Sequence, residues 1–334
     1  MLQHRHRRIA LSLVAAVGLA GSWAVATSTG FAAENDRRDS RIERNEGSFI
    51  TRCELSHRAA DDPIVAFGQP GASHLHDFVG NRGVNAGSTY EQLKRNPRTT
   101  CDGEGHTGSY WFPTVLVNGE PTEATRTNVY YRSRQLDPRA IKPFPQNLRM
   151  IAGDARATRE QPGDVANWDC VRSGDRRSVQ TPSCAANDEF LKFRIEFPEC
   201  WDGVRIDSPD HKSHMAYANR GECPRTHPVA VPGITVSVNF EYGKDIRRTD
   251  RITLSSGGVF SGHADFINTW DEATLGRLVA GCLNAAKSCD KGEKPDVRPA
   301  VTPVASDTTI HKTRITSGSA PAGADTTTHA GHGG

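Results

Sequence analysis

The sequence lacks most of the local signatures that announce a chemistry. No C-x-x-C pair, H-E-x-x-H or G-x-S-x-G occurs in the 334 residues. That removes the thioredoxin-like and zinc-ribbon patterns, the zinc-protease helix and the serine-hydrolase elbow. An excess of one charge is missing too, since 41 Lys+Arg oppose 39 Asp+Glu for a net +2. A nucleic-acid binder would carry a basic excess, so no nucleic-acid partner is expected. After the first stretch, no apolar run approaches the ~20 residues that cross a bilayer. Hydrophobic residues reach only 36%, low against the roughly 45–50% usual in globular domains, although the length still suffices for one large core. Gly103 to Gly108 match G-x-G-x-x-G but follow Cys101 and run into a strand-like segment, so a dinucleotide loop has no support there.

What is present begins with an address. Arg5, Arg7 and Arg8 lead into the apolar run Ile9 to Ala20, and Ala24-Val25-Ala26 fits an A-x-A cleavage site, with Gly30-Phe31-Ala32 as a second choice. Residues 1–33 therefore read as a secretory signal and its cleavage region. The expectation is a secreted, extracellular protein with no membrane association after cleavage, and a monomer. Residues 34–48 are charged and almost free of apolar side chains, a flexible leader. The tail 291–334 is rich in Pro, Thr, Ala, Gly and His and reads as disordered. Between them, 49–290 forms one domain without a long linker.

Eight cysteines follow the signal, an even number that in an oxidising compartment implies disulfides. Loop-local pairing predicts Cys53 with Cys101, Cys170 with Cys184, Cys200 with Cys223, and Cys282 with Cys289.

Strand patterns dominate the domain. Tyr110 to Val117 is aromatic and β-branched and turns at Asn118-Gly119. Asn128–Arg132, Leu148–Ile151, Phe190–Phe197 and Ile234–Phe240 are further strands, the last two alternating with period two. Two helices are expected: a short one opened by a Ser88–Glu91 capping box and stopped by Pro97, and one from about Asp271 to Ala285 opened by Thr269–Glu272. The fold class is mostly β, a β-sandwich or jelly-roll-like core with two short helices and disulfide-stapled loops.

The informative residues are histidines in three segments. In Ser73-His74-Leu75-His76-Asp77-Phe78, an extended chain points His74 and His76 to one face, where they can share one ion. Asp207-Ser208-Pro209-Asp210-His211-Lys212-Ser213-His214 sets two histidines three apart beside carboxylates. Ser261-Gly262-His263-Ala264-Asp265-Phe266 is the third segment. The carboxylates Asp77, Asp210 and Asp265 would ligate or orient the imidazoles. The bland alternatives are surface histidines, a polar loop capped by Asp210, and a satisfied buried His263. His74, His76, His214 and His263 are the candidate ligands of one divalent metal ion, with zinc-type and calcium-type ions undistinguished. His211, Asp210, Asp207 and Asp202 are the candidate acid–base set. Tyr110, Trp111, Tyr130, Tyr131, Trp168, Trp201 and Trp270 offer sugar-stacking platforms, against the simpler reading of core packing.

Four segments, Ser73–Gly80 (SHLHDFVG), Leu148–Asp154 (LRMIAGD), Cys200–Tyr217 (CWDGVRIDSPDHKSHMAY) and Gly257–Trp270 (GGVFSGHADFINTW), resemble a secreted family of actinobacteria and fungi known as a domain of unknown function. The resemblance spans roughly Pro63 to Leu283. It implies an exported protein, in some relatives found beside wall-polysaccharide-binding modules, and it brings no reaction with it. The resulting expectation is action at the cell wall or on extracellular polysaccharide through one His/Asp-lined cleft, as a hydrolase or lyase. A non-catalytic glycan-binding or metal-binding module is the competing class.

Overall fold

The computed structural model describes residues 46–171, 177–182, 184 and 189–289. The signal region, residues 34–45 of the leader and the tail from 291 lie outside the described residues. Glu46 and Gly47, at the leader's end, already belong to the fold: the Gly47 N–H donates to Ser133 Oγ at 3.0 Å.

Two main sheets carry the architecture. In chain order their strands are β1 (Ser48–Cys53), β2 (Leu55–Ala59), β3 (His76–Gly80), β4 (Ser109–Pro113), β5 (Arg126–Arg132), β6 (Arg149–Gly153), β7 (Ala166–Cys170), β8 (Phe190–Glu196), β9 (Gly233–Glu241), β10 (His263–Ile267) and β11 (Ser288–Cys289). The six-stranded sheet runs β11-β1-β5-β9-β8-β7 and the five-stranded sheet β2-β3-β4-β10-β6. Both are antiparallel apart from the short β1–β11 pair. The expected mostly-β sandwich is what the chain forms. The hairpin turn at Asn118-Gly119 is also found, with φ of 56° and 93°, the left-handed geometry that this dipeptide favours.

Period-two alternation assigns each side chain to a layer. Phe49, Tyr131, Phe193 and Val236 from one sheet meet Tyr110, Phe112, Met150 and Phe266 from the other in a single core. The Tyr110 and Tyr131 hydroxyls hydrogen-bond to each other across the two sheets. The opposite face of the five-stranded sheet therefore carries His76, Phe78, Trp111, Ile151, His263, Asp265 and Ile267. Ile64, Val84 and Leu93 pack over its apolar part as a second cluster.

The helices fall close to their expected places, with shifted caps. The first, α1 (Tyr90–Arg95), is capped by a Thr89–Gln92 box, not Ser88–Glu91, because Ser88 Oγ is held by the Asn85 N–H and the Gly83 carbonyl. The second, α2 (Glu272–Leu278), is capped by Asp271, whose side chain accepts from the Thr274 N–H. Thr269 does not cap it, since its hydroxyl donates to the Thr107 carbonyl. A π turn at Val279–Leu283 continues the helix. Leu275, Val279, Cys282 and Leu283 are buried, while Leu278 is only partly so. All four disulfides pair as the spacing predicted. Five of the seven candidate sugar platforms, Tyr110, Trp111, Tyr131, Trp168 and Trp270, are core residues.

Candidate metal centre

Three imidazoles converge at one end of the five-stranded sheet. His76 opens β3 and His263 opens β10, and both point outward by the same alternation that buries Val79 and Phe266 inward. His74 comes from the turn just ahead of β3. The Nε2 atoms of His74 and His263 lie 3.0 Å apart, and those of His76 and His263 3.4 Å apart. Ligands about 2.0–2.1 Å from one tetrahedral ion are separated by about 3.3–3.4 Å; the His76–His263 pair has that spacing, and the His74–His263 pair is closer, at hydrogen-bond distance.

The far side of each ring sets its tautomer. His76 Nδ1 lies 2.9 Å from the Asp61 carbonyl and His263 Nδ1 2.8 Å from the Ser261 carbonyl. A carbonyl only accepts, so both Nδ1 atoms carry the proton and donate it. Burial holds His76 well below the usual histidine range, reinforced by its two neighbouring imidazoles, and pushes His263 down to about 3. Burial lowers His74 as well. Neutral rings protonated at Nδ1 present bare Nε2 lone pairs, and those of His76 and His263 face each other. His74 can donate to one of them at most. A cation resolves this juxtaposition, and second-side bonds to carbonyls are how metal-binding imidazoles are oriented.

Two carboxyls complete the environment. Asp62, His76 and Asp265 each offer a ligand atom within 4.8 Å of the others, as do His74, His76 and His263. Asp62 Oδ1 accepts the Ile64 and Val65 N–H groups, both at 2.9 Å, fixing the chain that enters the site. Asp265 is 1% exposed, and neither of its oxygens has a hydrogen-bond partner among the described residues. Burial, with Asp62 beside it, raises Asp265 well above the usual carboxylate range. An orphaned buried carboxyl is costly, and native proteins keep such groups where a ligand or a reaction uses them. The donor set therefore fits a metal ion. Three neutral nitrogens suit zinc or a neighbouring transition metal, whereas calcium and magnesium need mainly oxygen ligands.

The loop from Asp207 to His214 borders this centre. His211 is close enough to Asp62 to favour its anion, and Lys212 acts electrostatically on both His263 and Asp265. His211 Nδ1 is held by Asp207 at 2.9 Å and 3.1 Å, and its Nε2 has no partner among the described residues. Its backbone has φ of 57°, the left-handed region that a non-glycine residue rarely enters. The other expected residues are engaged elsewhere. His214 is satisfied at both nitrogens, by Ser208 Oγ at 2.8 Å and the Arg149 carbonyl at 2.6 Å. Asp210 accepts from Ser208 Oγ and from the Lys212 and Ser213 N–H groups. Asp202 accepts from the Val204 and Arg205 N–H groups and pairs with the Arg205 side chain at 2.7 Å. Asp77 faces the other side of the sheet, where it binds Arg58 and Thr114. Trp201 donates its indole N–H to the Arg205 carbonyl.

Asp62 and the buried His106 were not singled out from the sequence. Asp62 sits in a turn, and its only local signal was an Asp two residues ahead of the backbone N–H it accepts. His106 belongs to the core: it lies 2.9 Å from both Thr51 Oγ1 and Tyr110 Oη and packs on the Trp270 ring at 4.1 Å.

Fold and site together define a disulfide-stapled β-sandwich with a three-histidine centre on the outer face of one sheet. The chain belongs to the family described as Domain of unknown function (DUF1996), whose model matches residues 62–270. That span holds every residue of the centre. No curated protein and no solved structure matches the chain.

Proposed function

We propose that the protein is an exported, metal-dependent hydrolase that removes acyl substituents from extracellular polysaccharide. The observation that carries this reading is the facing pair of bare Nε2 lone pairs on His76 and His263, with His74 alongside, in a cluster that the orphaned Asp265 carboxyl joins through His76. The four disulfides support an oxidising, extracellular setting. Three protein nitrogens are the ligand number of catalytic rather than structural zinc sites.

A divalent ion held there supplies Lewis acidity to a carbonyl oxygen and lowers the pKa of a bound water. The chain's own residues do the rest. His74, His76 and His263 would hold the ion. Burial keeps Asp265 protonated beside the neutral imidazoles; a cation at the centre would favour its carboxylate, which then takes the proton from the attacking water. His211, oriented through Nδ1 by Asp207, presents Nε2 to donate a proton to the leaving alkoxide or amine. A carbonyl target suits this set better than a glycosidic bond, whose hydrolysis needs two carboxyl groups flanking the sugar. Exposed Val65 and Phe67, three and five residues after Asp62, offer apolar surface to an acyl group.

The test is acid release from acetylated xylan, chitin oligomers and acetylated glucomannan by the purified mature protein. Release that requires metal and falls by at least about 100-fold in His211→Ala is expected, the lower end of general acid–base contributions. Release that survives chelation would contradict the mechanism. Metal retention without any release moves the protein to the non-catalytic metal-binding class.

A further inference from the structure

The outer face of the six-stranded sheet has a different chemistry. Its alternation puts Ser48 of β1, Tyr130 and Arg132 of β5, Thr235 of β9, and Arg194 and Glu196 of β8 on that side, with cross-strand partners Ser48–Arg132, Tyr130–Thr235 and Thr235–Glu196. A sheet face that carries hydroxyls, guanidinium groups and carboxylates in register does not pack an apolar layer. It lines a cavity of about 390 Å³. A second cavity of about 680 Å³ continues from it, sharing Glu46, Arg132, Arg177 and Glu196 and reaching Arg134, Glu199 and Tyr217.

We propose that this continuous groove binds a neutral saccharide chain, at a site separate from the histidine centre. Three observations carry the inference. Thr235 is 4% exposed and lines the groove, and its Oγ1 has no hydrogen-bond partner among the described residues. A buried hydroxyl without a partner is rare and points to a ligand group that completes it.

The charged groups are then arranged as alternating donors and acceptors. Arg134 bridges Glu196 at 3.1 Å and Glu199 at 3.3 Å, and Arg177 holds Glu196 from the other side at 3.0 Å. Rigid guanidinium–carboxylate pairs present N–H groups and oxygens side by side. A sugar hydroxyl is both donor and acceptor, so vicinal hydroxyls match such pairs, whereas an anion would be repelled by the carboxylates and an apolar ligand would strand them.

The third observation is the balance of sign. Across the two cavities five arginines face four acids, which favours a ligand without net charge. Tyr130, with Arg132 over one ring face at 4.7 Å, adds an aromatic edge to the same groove. The inference stands on this groove alone and does not require the metal-dependent reaction.

The test is calorimetric titration of the disulfide-intact protein with hexasaccharides of glucose, mannose, xylose, N-acetylglucosamine and galacturonate. Binding of at least one neutral hexasaccharide is expected, weakened at least tenfold in both Thr235→Val and Arg132→Ala and unchanged in His76→Ala. Thr235→Val keeps the shape of the side chain, and its thermal unfolding serves as the control for folding. No binding to any neutral hexasaccharide at millimolar concentration overturns the proposal. So does preferred binding of the galacturonate chain, or binding that both groove variants leave intact. Loss of binding in His76→Ala alone would relocate the ligand to the metal centre, and that outcome also overturns it.

Discussion

The two outer faces of the sandwich obey the same alternation and end in opposite chemistry. On the five-stranded sheet, Phe78, Trp111 and Ile267 are sealed under Ile64, Val84 and Leu93, and the histidine centre sits at the margin of that apolar cover. Its groups are neutral because they are buried: His263 is pushed down to about 3 and Asp265 is raised. On the six-stranded sheet the outward positions are polar, and charge is kept by pairing, as in Arg134 with Glu196 and Glu199. A dry margin makes bare lone pairs and an orphaned carboxyl, which suit an ion. A paired, hydrated groove makes fixed donors and acceptors, which suit hydroxyl groups. The same backbone geometry thus yields two kinds of site through what covers each face.

Substitution of the apolar cover should have the largest effect. Trp111→Ala removes a fully buried indole that lies 5.7 Å, centroid to centroid, from Phe78, and it is expected to cost about 3–5 kcal/mol in denaturant unfolding. It should weaken metal binding as well. A loss below 1 kcal/mol would mean that the cover is not what keeps the centre dry.

Asp265→Asn separates function from stability next. It removes a buried carboxyl without a partner, so the metal-free protein should gain about 1–3 kcal/mol at neutral pH. Metal affinity or turnover should fall at the same time. Destabilisation with unchanged metal behaviour would make Asp265 an ordinary core residue.

The core between the faces has its own signature. His106 is pushed down to about 3 from 6.5 by complete burial. The unfolded chain protonates this ring below about pH 6.5 while the folded chain does not, so stability falls as pH drops from there toward 3. One such group contributes a slope of about 1.4 kcal/mol per pH unit. His106→Gln should therefore flatten the dependence between pH 4 and 6 by roughly that amount, read from urea unfolding. An unchanged slope would contradict the assignment. The smallest effect belongs to the polar face, where Thr235→Val exchanges a buried hydroxyl without a partner among the described residues for a methyl group and should raise stability by about 1 kcal/mol.

Much of this was legible in the sequence, for identifiable reasons. Alternation in Phe190–Phe197 and Ile234–Phe240 gave β8 and β9, and short cysteine spacings gave the four disulfides. His74 and His76 two apart, and His263 beside a carboxylate, marked the centre. The alternation that places His76 outward puts Asp77 on the opposite face, away from the imidazoles it was expected to orient, and the register of β2 on β3 brings Arg58 to it. What remained hidden depended on tertiary contacts. His214 looks like a ligand until Ser208 and the Arg149 carbonyl occupy both nitrogens. Asp62 reaches His76 only because a turn folds back over the sheet, and the groove needs strands far apart in sequence to come into register.

The central claim is that His74, His76 and His263 hold one transition-metal ion. Its most direct test is elemental analysis of the purified mature protein after equilibration with zinc and exhaustive dialysis, alongside correctly folded His76→Ala and His263→Ala variants. One equivalent in the native protein and less than about a tenth in each variant is the predicted result. Metal-free native protein, or equal metal content in all three, would contradict it.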